Sequence, residues 1–125
     1  MPDYTIPGFK KMSKQRIFNK AVAHIASTRV KSFEDGRCVY GGNGCNAAPL
    51  LLPEYISYAD TLGSWDNLVE TGNVPANNAI FITELQAAHD TCSVGAAFMI
   101  GWKERMHNLA LRWNLSTSTL DKVAV

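Results

Sequence analysis

CVYGGNGCNAAPLLL, residues 38 to 52, holds two of the chain's three cysteines, a tyrosine and three glycines, and it ends on an apolar run. Its first residues, together with Arg37, favour a short strand: Val39 and Tyr40 suit a pleated surface, and the acidic-glycine sequence Glu34-Asp35-Gly36 just before them signals a turn. Gly41, Gly42 and Gly44 then supply the positive backbone angles of a tight reversal. Beyond the reversal, Asn46, Ala47 and Ala48 begin a helical turn, which Pro49 restricts. A strand, a reversal and a helix start between helical flanks predict an α+β fold, mostly α. Three main helices and several short ones would pack around a small β-hairpin or ribbon.

The glycines also pose the question of a phosphate-binding loop. Such a loop needs amides aimed from a helix N-terminus together with a lysine or a patterned glycine spacing. GGNG followed by Cys45 offers amides without either. A structural reversal is the better reading.

Upstream, Ser13 is placed to cap a helix whose apolar positions Ile17, Phe18, Ala21, Val22 and Ile25 recur at three- and four-residue spacings. Its period fails near Arg29 to Lys31. His24 sits beside the apolar face and reads as a boundary histidine. Downstream, Pro53 suits the first turn of a short helix through Tyr58, which Gly63 ends, and Ser64 caps another from Trp65 to Glu70. A stronger helix starts at Asn77 or Asn78, with Ile80, Phe81, Leu85, Ala88 and Cys92 at core spacings and Glu84 and Gln86 near the rim. The closing helix, residues 95 to 113, aligns Phe98, Trp102, Arg105, Met106, Leu109 and Trp113 on one face. Lys103, Glu104, His107 and Arg112 form its solvated side. The expected organisation is a flexible arm over residues 1 to 12, one globular domain over 13 to 116, and a tail over 117 to 125.

Two chemistries attach to the glycine stretch. Cys45 at a helix start would have its thiolate favoured by the helix dipole. A nucleophilic set would draw on His89 as base and an acid such as Asp90, although neighbouring helical residues point about 100° apart and place Asp90 poorly to orient His89. Cys38, Cys45 and His89 are the candidates for a metal, but six residues separate the two cysteines, more than the two to four of a zinc knuckle. No cofactor is indicated. Free cysteine is among the most buried residue types, so packing is the simplest role for both thiols.

The 125 residues suit a single domain with one core. Hydrophobic content of 46% with charged content of 18% argues against disorder, and a net charge of +1 gives no field that points to nucleic acid. The first twenty residues lack the apolar core of a secretory signal, and no run approaches the length of a membrane span. A cytoplasmic protein with reduced thiols is expected.

RIFNKAVAHI, RCVYGGNGCNAAPLL, ELQAAHD and WKERMHNLALRWNLS together resemble a family of small uncharacterised proteins of tailed phages and of prophages in Gram-negative bacteria. The family pattern is a first helix, a Cys-x-Tyr segment, a second cysteine followed by small residues, a Leu-Gln-x-x-His-Asp segment and a closing helix. The resemblance covers residues 13 to 116. This chain departs from the pattern at Ala48, where the family has glycine, and it lacks the charges expected in the turn. The resemblance implies a shared fold and a phage or prophage origin. It leads to the expectation of a non-enzymatic accessory protein in the bacterial host cytoplasm that binds a host protein and inhibits or redirects it, for instance against a defence system. The alternative is a thiol-dependent hydrolase or transferase using Cys45 and His89.

Overall fold

The computed structural model describes residues 3–31, 33–34, 37–42, 44–92 and 95–125, with the backbone alone at residues 33, 34, 37 and 38. Among the described residues six α-helices run α1 Lys14–Thr28, α2 Ile56–Leu62, α3 Trp65–Glu70, α4 Ala79–Asp90, α5 Phe98–Trp113 and α6 Ser118–Asp121. Short 3₁₀ turns at Phe9–Lys11, Ala48–Leu50, Pro53–Tyr55 and Gly95–Ala97 join them.

The local signals act where the sequence places them. Ser13 Oγ accepts from Arg16 N at 3.1 Å and starts α1, whose Ile17, Phe18, Ala21, Val22 and Ile25 are all buried. Arg29, in the left-handed region with φ 59°, ends it by donating its N–H to Ile25 O. Ser64 caps α3 through Asn67 N, and Gly63 closes α2. At the far end of α4, Lys31 Nζ donates to the carbonyls of Asp90 and Cys92, a cation satisfying terminal acceptors.

The α+β expectation is corrected: the fold is helical. Among the described residues the paired strands are two-residue arms, Phe33–Glu34 and Arg37–Cys38, and the principal contacts are of helix on helix. Helix α4 packs on α5 and α3, and α1 packs on α6 and on the turn Ala48–Leu50. The strand signal of Val39 and Tyr40 fails for a local reason. The Tyr40 N–H that a ladder would use is donated instead to Asp60 Oδ1 at 2.7 Å.

The arm expected over residues 1 to 12 is also revised for its described part. Tyr4, Phe9 and Met12 are buried, and main-chain bonds run from Tyr4 N to Asn73 O, from Ile6 N to Leu50 O and from Leu52 N to Tyr4 O. This strap is held by backbone pairing with loops, which leaves no periodic trace in a sequence. The expected tail likewise docks, with Leu120 and Val123 buried and Lys103 Nζ donating to Val123 O at 2.6 Å.

No described helix is long and apolar enough to cross a membrane.

Candidate functional site

The glycine reversal is pinned from both sides. Asp60, on α2, accepts from Tyr40 N at 2.7 Å and from Gly41 N at 3.1 Å, one bond to each carboxylate oxygen. Opposite, His24 Nε2, on α1, lies 3.1 Å from Gly44 O. Between these pins Gly44 N donates to Gly41 O and closes the turn. Gly44 has φ 79°, and a Cβ there would stand 2.5 Å from His24 Nε2. Glycine is therefore required by backbone angle and by space together. His24, read from the sequence as a boundary residue, is a clamp on this turn.

Beyond the turn the chain dives inward, and Cys45, Asn46, Ala47, Ala48, Leu50 and Leu51 are all buried. Asn46 satisfies itself completely there: Nδ2 donates to Leu85 O at 2.7 Å, and Oδ1 accepts from Trp102 Nε1 at 3.0 Å. One amide thus ties the segment to both α4 and α5. Ala47 N donates to Gln86 Oε1 at 2.9 Å, a further tie to α4.

A cavity of about 270 Å³ lies beside Cys45, its polar lining made by Tyr40, Cys45, Asp60, Ser64, Gln86 and Asp90. Tyr40 and Asp60 also line a more open groove of about 680 Å³, which continues past His24, the glycine turn, Ile56 and Ser57. Burial pushes the Cys45 thiol up to about 12, against the opposing pull of the Gln86 amide and the N–H groups of Ala47 and Ala48. The helix-start advantage expected for this thiol is present in those N–H groups, and desolvation outweighs it. Tyr40 is raised as well, first by burial and then by the negative charges of Cys45, Asp90 and Asp60. The Gln86 amide opposes this rise, and the hydroxyl itself is sealed from solvent.

His89 is wholly buried, its ring edge-on to Phe98 with centroids 5.6 Å apart. Its Nδ1 lies 2.7 Å from Asp90 Oδ1, which corrects the expectation that Asp90 is poorly placed to meet it. The 100° rule describes where Cβ atoms point, and the reach of an imidazole at a helix end closes the gap. Asp90 lines the cavity with Cys45, whereas His89 is not among its described lining. The expected trio is thus only partly assembled: Asp90 touches His89 and shares a cavity with Cys45.

Among the described residues no group of three or more His, Cys, Asp or Glu side chains is placed to hold a metal ion. The Cys38 side chain, one of the metal candidates, lies outside the described residues. Cys45 and Cys92 are free thiols, and burial raises Cys92 too, with Arg105 and Lys31 opposing.

No protein-family model, curated protein or solved structure matches this chain.

The sequence does not disclose the roles of four members of this region. Asp60 and Tyr40 are twenty residues apart, and nothing in the spacing couples a short-helix acid to a turn amide. Gln86 was placed at the rim by periodicity, correctly for its backbone position, but its amide turns inward to Ala47. Asn46 carried the one available hint: a polar residue inside a run of small apolar ones must find partners if it is buried.

Proposed function

We propose that this chain is a non-enzymatic binding protein, a small phage or prophage accessory protein that engages a host protein and inhibits or redirects it. The observation that carries this reading is the groove of about 680 Å³ framed by the glycine turn and α2. Its His24 and Asp60 walls have structural duties: His24 holds the Gly44 carbonyl, and both Asp60 oxygens accept backbone N–H groups. Its apolar floor, with Ile6, Leu51 and Ile56, suits recognition more than proton transfer. Tyr58, on the same short helix, is 52% exposed and packs edge-on to Tyr4, and tyrosine is a common anchor in protein interfaces.

The thiol alternative draws little support from this arrangement. A nucleophile must give up its proton near neutral pH, and Cys45 is buried with its thiol held near 12. The phage setting rests on the sequence resemblance, and the small, nearly neutral chain accords with it.

Affinity capture from Gram-negative bacterial lysate tests the reading, with wild type compared against Ser57→Arg, which places a long cation on an exposed wall of the groove. The expected result is a stoichiometric host protein retained by wild type and lost with the variant, whose own activity changes when the purified pair is mixed. Retention of nothing specific, or equal retention by Ser57→Arg, would count against it.

A further inference from the structure

The net charge of +1 averages over an uneven distribution. Residues 4 to 33 hold seven of the twelve Lys and Arg and none of the eleven Asp and Glu, whereas residues 34 to 90 hold eight of the acids and one base, Arg37. Five of those seven bases fall between positions 10 and 20: Lys10, Lys11, Lys14, Arg16 and Lys20. The turn Phe9–Lys11 leads into α1, whose first turn carries no acidic residue. At 1.5 Å of rise per residue, positions 14 to 20 span about 9 Å of helix axis, so these cations form one local patch.

Lys10, Lys11 and Arg16 are exposed, and Lys14 and Lys20 are half-buried. None of the five makes an ion pair among the described residues. Lys14 Nζ lies over the Trp113 ring, 5.5 Å from its centre, a contact that leaves its charge in place. The patch therefore keeps its positive field.

A second observation, independent of the charges, narrows the partner. The exposed large hydrophobics among the described residues, Val30, Tyr58, Ile80, Ile100, Leu111 and Val125, all lie outside positions 10 to 20. A protein interface needs a desolvated apolar or aromatic centre, and adsorption to a membrane surface needs a free apolar helix face. The apolar face of α1, with Ile17, Phe18, Val22 and Ile25, is spent on the core. Single-stranded nucleic acid is held by exposed aromatic rings on which bases stack, and the patch has none. Cations without an apolar anchor match the backbone of a duplex, where contacts are charged and wet.

We infer that the patch over residues 10 to 20 binds the phosphate backbone of double-stranded nucleic acid without reading its sequence. None of the five cations lines the groove of about 680 Å³, so this surface is separate from the protein-binding one and stands without it.

Fluorescence anisotropy of the full chain with labelled DNA and RNA duplexes of about 20 base pairs, at salt between about 50 and 200 mM, tests the inference. The expected result is saturable binding of one or both duplexes. The logarithm of affinity should fall against the logarithm of salt with a slope of about −3 to −4, as about four phosphate contacts require. Arg16→Gln combined with Lys20→Gln should weaken binding at the lower salt by about tenfold or more and make the slope shallower by about 2. Arg105→Gln combined with Lys122→Gln removes the same charge from exposed positions elsewhere and should leave the slope unchanged. Poly-glutamate should compete far less well than unlabelled duplex. No saturable binding of either duplex at the lower salt, an equal loss with both pairs of substitutions, or poly-glutamate competing as well as duplex would overturn it.

Discussion

The side-chain amide of Asn46 stands 3.0 Å from the indole nitrogen of Trp102, both residues wholly buried, and it reaches the Leu85 carbonyl with its other end. A polar side chain in a core is tolerated when each of its atoms is paired, and here the pairing joins three separate parts of the chain. Asn46→Ala leaves the Trp102 N–H unpaired in the core. It should lower unfolding free energy by about 2–4 kcal/mol, the unsatisfied donor adding to lost packing. In Asn46→Ala combined with Trp102→Phe no donor is orphaned, and denaturant titrations of the four proteins should give a coupling energy of about 1–2 kcal/mol.

The Gly44 and His24 pair gives a second cycle. Alanine at 44 costs about 1–2 kcal/mol for its left-handed backbone and more for the Cβ placed 2.5 Å from His24 Nε2 and 3.0 Å from Ala48 Cβ. Gly44→Ala should therefore destabilise by about 2–4 kcal/mol. In a His24→Ala background the penalty should shrink toward the backbone part alone. Gly8→Ala is the control: φ is 83° there but no atom lies within 4 Å of the added Cβ, so only the backbone cost is expected. Thermal melts of these variants read the difference.

The pairs in these two cycles mark what a sequence can and cannot disclose. Helix α1 is written in Ser13 and in five apolar residues at helical spacing, because capping and amphipathicity are local. The same holds for Ser64 and α3, and for Trp102, Met106 and Leu109 on α5. Ile80 shows the limit of periodicity: it sits at a core spacing in α4 but is 71% exposed, while Ile82 takes the buried place. Each helix has several faces that satisfy the pattern, and its neighbours choose among them. The site was less legible still. The glycines and Cys45 drew attention to the right turn, whereas Asp60, Gln86 and the buried state of the thiol follow from tertiary approach alone.

The C-terminal segment supplies a third prediction. Leu120 is fully buried, whereas Leu111 on α5 is 80% exposed. Leu120→Ala should cost about 2–5 kcal/mol in cavity formation, and Leu111→Ala should stay within about 0.5 kcal/mol. A tail that merely frayed would make the two variants alike, so urea midpoints distinguish a docked segment from a loose one. Gln15 reinforces the docking by donating to Ser116 O and accepting from Ser116 N.

Cys45 carries the last prediction, in two measurements. Its thiol is raised from 9.0 to about 12, so the fold favours the protonated form. Below pH 9 that preference is fully present, since the thiol is protonated folded or unfolded. Between pH 9 and about 12 the unfolded chain releases a proton that the folded chain keeps, and stability falls with rising pH by about 1.4 kcal/mol per unit. Tyr40 and Cys92 act in the same direction and are present in both wild type and Cys45→Ala, so the stability difference between the two proteins reports Cys45 together with its coupling to Tyr40 and should narrow as pH rises from 9. At pH 7 the same burial leaves far less thiolate at Cys45 than an ordinary cysteine has. Alkylation mapped by mass spectrometry should find Cys45 modified at a rate set by unfolding. A Cys45 alkylated faster than a free thiol in the native protein would restore the nucleophile that the burial of this residue argues against.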